Sequence, residues 1–195
     1  LRICIKGFTI EGGLDMSEMD KDNRKQWEQD FYGDNVSVTS RDHDFASYCI
    51  RDKSGEALLT RYQVFSGIAI VYNDVHMPYI EIKGTNHYSR VMEINHCREG
   101  RIEFESSGGE YLYVKKGDMA INTKAGVKEY SNFPLSHYHG LTIEIDLEAI
   151  KKHPEQLLID MKIDVESMYQ LFCKNNRPLV LHEKKEFEHL FAELY

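Results

Sequence analysis

The chain has 195 residues, enough for one domain with a real core plus an appendage; with 42% hydrophobic and 29% charged residues it is globular rather than disordered. A formal net charge of −8, with 24 Lys and Arg scattered among 32 Asp and Glu, excludes a chain that grips nucleic acid alone, because phosphate binding needs concentrated basic charge. No apolar run is long enough to span a membrane, and the dispersed cysteines (Cys4, Cys49, Cys97, Cys173) form no CxxC pair, which argues against a zinc knuckle or disulfide scaffold and for a reducing, cytoplasmic setting.

The first ten residues are apolar but run into Glu11-Gly12-Gly13 without a small-residue cleavage site, so they are not read as a signal peptide. Met16-Ser17-Glu18-Met19 is a more natural start, and residues 1–15 are expected to be leader. Ser17 to Phe31, with Trp27 and Phe31 four apart, predicts a short helix laid on the body of the protein and ended by Gly33-Asp34-Asn35. Ala46–Ile50, Leu58–Phe65 and Gly67–Tyr72 predict strands, and Tyr79–Lys83 pairs again before a turn at Gly84-Thr85-Asn86.

Val91 to Asp146 is the centre of the pattern. Val91–Cys97 and Arg101–Glu105 alternate in polarity on either side of Arg98-Glu99-Gly100, which predicts a hairpin. Strands follow at Glu110–Val114 and Met119–Asn122. In His137–Asp146 the odd positions, two histidines and then Leu141, Ile143 and Ile145, share one face by the two-residue period. Met92, Ile94 and His96 share a face in the same way, and both faces are expected to point inward. Short half-buried strands separated by frequent turns describe a small barrel or jelly roll enclosing a cup for a small molecule.

Beyond Asp146 the period changes. Leu147–His153 predicts one or two helical turns stopped by Pro154, and Val165, Met168, Tyr169 and Phe172 lie on one helix face behind Asp164 as N-cap. Arg177–Leu181 is extended, and Glu183–Tyr195 predicts a helix whose Phe187, Leu190, Phe191 and Leu194 form an apolar stripe. The expected organisation is an N-terminal extension (1–40), a barrel (41–146) and C-terminal helices (147–195).

Several segments together resemble one family. Tyr62-Gln63-Val64-Phe65-Ser66-Gly67-Ile68, Ile70-Val71-Tyr72-Asn73-Asp74, Met92 to Arg101, Gly117 to Asn122 and Tyr138-His139-Gly140 resemble, in this order, the N-terminal halves of AraC-type transcriptional regulators. The resemblance covers roughly residues 56–195. It implies a mainly β, cupin-like effector-binding barrel with a C-terminal helical appendage used in dimerisation, followed by a helix-turn-helix reader. Nothing after Leu181 is basic or long enough for such a reader, so DNA contact is expected only through a C-terminal domain outside this chain. The implied partners are a small polar effector, such as a sugar, and a second copy of the chain.

On this reading His96, His137, His139, Met92 and Ile94 are the candidate ligand contacts, and Phe187, Leu190, Phe191 and Leu194 the dimer contacts. The rival is a cupin metalloenzyme using His87, His96, His137 and His139. Against it, the usual first cupin motif, His-x-His followed by Glu, is reduced here to His87, and no Pro-x-Gly and histidine follow Gly117. No cofactor, catalytic residue or enzymatic activity is expected. Cys97 alternates away from His96, and no Gly-x-Ser-x-Gly elbow is present.

Overall fold

Residues Val91–Ser106 form one continuous strand of 16 residues, and four other strands pair with it. The computed structural model describes residues 4–5, 8–9, 21–81 and 90–195. In chain order the elements are β1 (Cys4–Ile5), β2 (Phe8–Thr9), α1 (Lys21–Tyr32), β3 (Val36–Arg41), β4 (Phe45–Asp52), β5 (Gly55–Phe65), β6 (Ile68–His76) and β7 (Tyr79–Glu81). They continue with β8 (Val91–Ser106), β9 (Tyr111–Lys115), β10 (Met119–Thr123), β11 (Val127–Asn132) and β12 (Tyr138–Asp146). Last come α2 (Leu147–Lys152), α3 (Gln156–Asp160), α4 (Val165–Phe172), β13 (Leu179–Leu181) and α5 (Lys185–Ala192). The expected turn at Gly84-Thr85-Asn86 lies outside the described residues, as does the expected leader apart from β1 and β2, which pair antiparallel.

The first half of β8 lies in a sheet of order β13-β10-β8-β12-β6-β5-β4-β3. Its second half pairs instead with β9 and β11, and β11 pairs with β7, so one strand belongs to both layers of the jelly roll. The changeover is at Gly100. Its φ of 85°, with a bulge just before it, where Arg98 is the extra residue opposite His139/Gly140, bends the strand from one layer into the other. This corrects the expected hairpin: residues 91–97 and 101–105 do not pair with each other. A positive-φ glycine serves a bulge as well as a turn, and the actual reversal comes later, where β9 returns along residues 101–105.

Two apolar layers follow. Inside the jelly roll, Tyr48, Leu59, Val71, Val75, Phe104 and Val114 pack with Phe31 and Tyr32 of α1, which closes one end. On the outer face of the large sheet, Met92, Ile121 and Ile145 are covered by Leu147, Ile150 and Leu158, with Val165, Met168 and Phe172 of α4 beside them. Asp146 caps α2 by accepting from the Glu148 and Ala149 amides, and Asp164 caps α4 by accepting from Ser167, as its position predicts. Strands β3 and β11 and helix α3 were not expected; β3 is polar and largely exposed, so it carries little apolar period to read. Among the described residues no helix is long and apolar enough to cross a membrane.

A Cβ placed on Gly100 would sit 2.1 Å from the His137 carbonyl oxygen. Gly100→Ala is therefore expected to destabilise the chain by about 1–3 kcal/mol, read as a lower denaturation midpoint. A neutral result would show that the bend does not need this conformation.

Candidate functional site

The residues expected to face inward face outward. On β8 and β12 the inward positions are Glu93 and Asn95, and Tyr138, Thr142 and Glu144, which line an internal cavity of about 140 Å³. Met92, Ile94, Ile143 and Ile145 lie on the opposite face, against the C-terminal helices. Because the side-chain period is two, a wrong choice of face inverts every assignment on a strand at once. Aliphatic residues usually mark the inside of a barrel; here they mark the face beneath a helical layer.

The cavity has an apolar half, including Leu59, Val71, Phe104 and Val114, and one polar wall. The wall is a relay across four strands. The Asn73 amide donates to Thr142 Oγ1 (2.9 Å), Thr142 donates to Asn95 Oδ1 (2.7 Å), Asn95 to Asn122 Oδ1 (2.9 Å), and Asn122 to Glu93 Oε2 (2.9 Å). Beside it, Glu93 and Glu144 oppose each other in register on β8 and β12. Like charges so placed repel, and each has its own cation. Arg61 Nε donates to Glu144 Oε2 at 2.9 Å, and Lys124 Nζ lies 3.4 Å from Glu93 Oε1 and 4.0 Å from the centre of the Phe31 ring. Burial pushes the Glu144 carboxyl up, and Arg61 and Lys124 oppose that rise.

One polar atom at this cavity is unsatisfied. Tyr32, from α1, lines it, and the Tyr32 hydroxyl is buried with no hydrogen-bond partner among the described residues. Burial, with Glu144 adding to it, holds that phenol protonated, well above the usual tyrosine range, so it is available as a donor.

The histidines divide. His96 stacks on Phe191 of α5 with ring centres 4.1 Å apart, and its Nδ1 lies 3.1 Å from the Tyr195 hydroxyl. Burial lowers its affinity for a proton, which suits a neutral ring in an apolar joint. His137 and His139 lie at the outer rim with His76, and His87 lies outside the described residues. Of the set His87, His96, His137 and His139, the described members are thus not brought together around the cavity. Of the C-terminal stripe, Phe191 is buried against its own sheet, Leu190 is 66% exposed, and the Leu194 carbonyl accepts from the Tyr72 hydroxyl. The Phe187 side chain lies outside the described residues. Cys49, Cys97 and Cys173 are buried and free; burial pushes the Cys97 thiol up to about 12 and Cys173 up to about 11, so neither supplies a thiolate nucleophile near neutral pH.

No protein-family model matches the sequence, and none of the curated proteins matches it. Among solved structures it is similar to the AraC-like transcriptional activator CuxR (16% identity, TM-score 0.45), over 87% of this chain and 53% of that one. The chain thus spans about half the length of CuxR. It is also similar to an ethanolamine utilization protein Q of Salmonella typhimurium LT2 (16% identity, TM-score 0.37, covering 57% of this chain and 94% of that one). A third is the Bacillus subtilis oxalate decarboxylase OxdC (11% identity, TM-score 0.37, covering 77% and 42%).

Glu93, Asn95, Asn122, Thr142 and Glu144 were missed as cavity residues because polar residues at every second position ordinarily face solvent. Their signal is that Glu93-x-Asn95 and Thr142-x-Glu144 both sit within aliphatic residues on both sides, leaving no solvent-facing strand. Nothing in sequence marks Arg61 and Lys124 as their partners.

Removing one member of a buried pair leaves an uncompensated charge, so Arg61→Met is expected to cost about 3–5 kcal/mol. With the Glu144 carboxyl raised, the folded chain binds more protons than the unfolded one between the two pKa values, and stability falls as pH rises through that window. The Arg61→Met deficit is therefore expected to be smaller near about pH 5 than near about pH 8. The double variant Arg61→Met/Glu144→Gln should recover part of the loss. Denaturant unfolding at both pH values reads all three, and a pH-independent deficit would dismiss the charge argument.

Proposed function

We propose that this chain is the effector-sensing and dimerisation part of an AraC-type transcriptional regulator, holding a small polar molecule inside the jelly roll. The observation that carries the reading is the internal cavity of about 140 Å³, lined by Tyr32, whose hydroxyl has no partner among the described residues, and walled on one side by an amide, hydroxyl and carboxylate relay. An engineered apolar cavity of about this size holds benzene, so the volume suits a ligand of about six to eight heavy atoms. The polar wall selects hydroxyl groups, as in a short polyol or hydroxy acid; a sugar of pentose size exceeds the volume of the cavity as it stands. Tyr32 would donate to the ligand while the relay accepts and donates from the other side.

The sequence resemblance supplies the regulatory context, and DNA contact would belong to a domain outside this chain. The same strands whose inner positions form the polar wall carry α2–α4 on their outer positions. A ligand that binds one arrangement of wall and helices more tightly than another shifts their populations, and that difference is the signal. For dimerisation, Leu157, Ile159, Met161 and Leu171 offer exposed apolar surface around α3 and α4, and Leu190 does so on α5.

A thermal-shift series with short polyols, hydroxy acids and pentoses on the purified chain tests the reading, with native mass by sedimentation at each step. At least one class is expected to raise the Tm in a concentration-dependent way, by about 2.7 kcal/mol of stability at a hundred times its Kd. Tyr32→Phe and Asn95→Leu should weaken that response, and the chain should sediment as a dimer. If no class stabilises it, while Thr142→Leu raises the Tm by filling the space, the cavity is a packing gap and the sensor reading is wrong.

A further inference from the structure

A second polar cluster lies outside the cavity, on the outer face at the rim. Asp74 and His76 are two apart on β6 and share its face, and His137, just before β12, is two residues from His139 within it. His139 is the register partner of Asp74, and the strands are antiparallel, which sets His76 and His137 beside them as the other half of a two-by-two block. The Nε2 atoms of His76 and His139 lie 2.8 and 2.6 Å from the same oxygen, Asp74 Oδ1. His137 Nε2 is 3.5 Å from Glu99 Oε2 on β8. One nitrogen from each of the three imidazoles lies within 4.8 Å of the others.

We propose that His76, His137, His139 and Asp74 bind one borderline divalent cation of the zinc class. Three imidazole nitrogens and one carboxylate oxygen make the donor set of a tetrahedral site, and nitrogen-rich sets select Zn²⁺ and its first-row neighbours over the oxygen-seeking Mg²⁺ and Ca²⁺. With metal–nitrogen distances of about 2.0–2.1 Å, tetrahedral donors stand about 3.4 Å apart, so the nitrogens need only close by side-chain rotation. The half-exposed rings leave room for that, and a cation can reach them from solvent. Cross-strand pairing has already brought the four Cβ atoms together, so binding orders side chains and not the backbone. Glu99 is placed to accept from His137 or to hold it in orientation, the part that second carboxylates play around ligating histidines. Because the neutral rings are the ligands, binding releases protons and weakens on acidification. The site uses side chains of outward parity and is independent of the inner cavity.

Metal-stripped full chain titrated with Zn²⁺ against a chromophoric chelator is expected to bind one equivalent, and Co²⁺ in its place should give the visible bands of a tetrahedral complex. His76→Gln, His137→Gln and His139→Gln should each weaken binding by at least about tenfold, and Asp74→Asn by about 10–100-fold. His153→Gln, far along the chain, and Asn95→Leu, in the cavity wall, should leave Zn²⁺ binding unchanged. The second of these separates failure of this site from failure of the sensor reading. The unaltered chain gives an independent readout: Zn²⁺ should shift the imidazole ¹⁵N resonances of three of the nine histidines. Sub-stoichiometric binding, binding unaltered in the triple histidine variant, or an adventitious ion only, seen at millimolar Zn²⁺, would overturn the proposal.

Discussion

Two glutamates that face each other in register inside a barrel cannot stand without counter-charge, and the architecture around the cavity follows from that requirement. Glu93 and Glu144 project from adjacent strands into a space whose other half is aliphatic. Arg61 reaches Glu144 from β5, and Lys124 reaches Glu93 from the turn between β10 and β11. Lys124 also lies over the Phe31 ring, so the helix that closes the barrel end is tied to the same charges. Such a quartet is weak evidence for stability in itself, since aliphatic residues of equal volume often do as well. Its presence costs desolvation that a core of aliphatic residues avoids.

The centre of the large sheet, strands β8, β10 and β12, is buried on both faces, and that decides how those strands read. Its inner face meets the cavity and its outer face meets α2–α4. A strand buried on both sides has no solvent face to carry the polar half of an alternation. The polar positions of β8 and β12 are therefore a chosen interior, satisfied link by link from Asn73 to Glu93. Amide and hydroxyl groups left without partners there would each cost about 1–3 kcal/mol, so the relay is a condition for the cavity to exist at all.

Much of this was legible in the sequence, and the failures have one physical origin. The mainly β class, the strands at β4–β6, β10 and β12, the Asp164 cap and the terminal helix follow from local periodicity and turn chemistry, which a single chain displays. Which face of a strand is inside, and whether a positive-φ glycine ends a strand or bends it, depend on partners far away in sequence. At Gly100 the deciding neighbour is the His137 carbonyl; for Met92 and Ile94 it is the helical layer beyond residue 146. Trp27 and Phe31 announced a helix laid on the barrel, but not that Tyr32 would enter the cavity. The His137/His139 pair was visible by its spacing, whereas His76 joins it only through the β6–β12 register.

That register also relates the rim to the interior. Tyr138 stands between His137 and His139, and its side chain points the other way, into the cavity wall. A Cβ on Gly140 would lie 2.3 Å from the Tyr138 hydroxyl oxygen, so the ring folds back along the strand over a position that only glycine leaves open. The Tyr138-His139-Gly140 sequence thus has a geometric reason: the tyrosine fills the barrel end, the glycine admits it, and the histidine between them faces out.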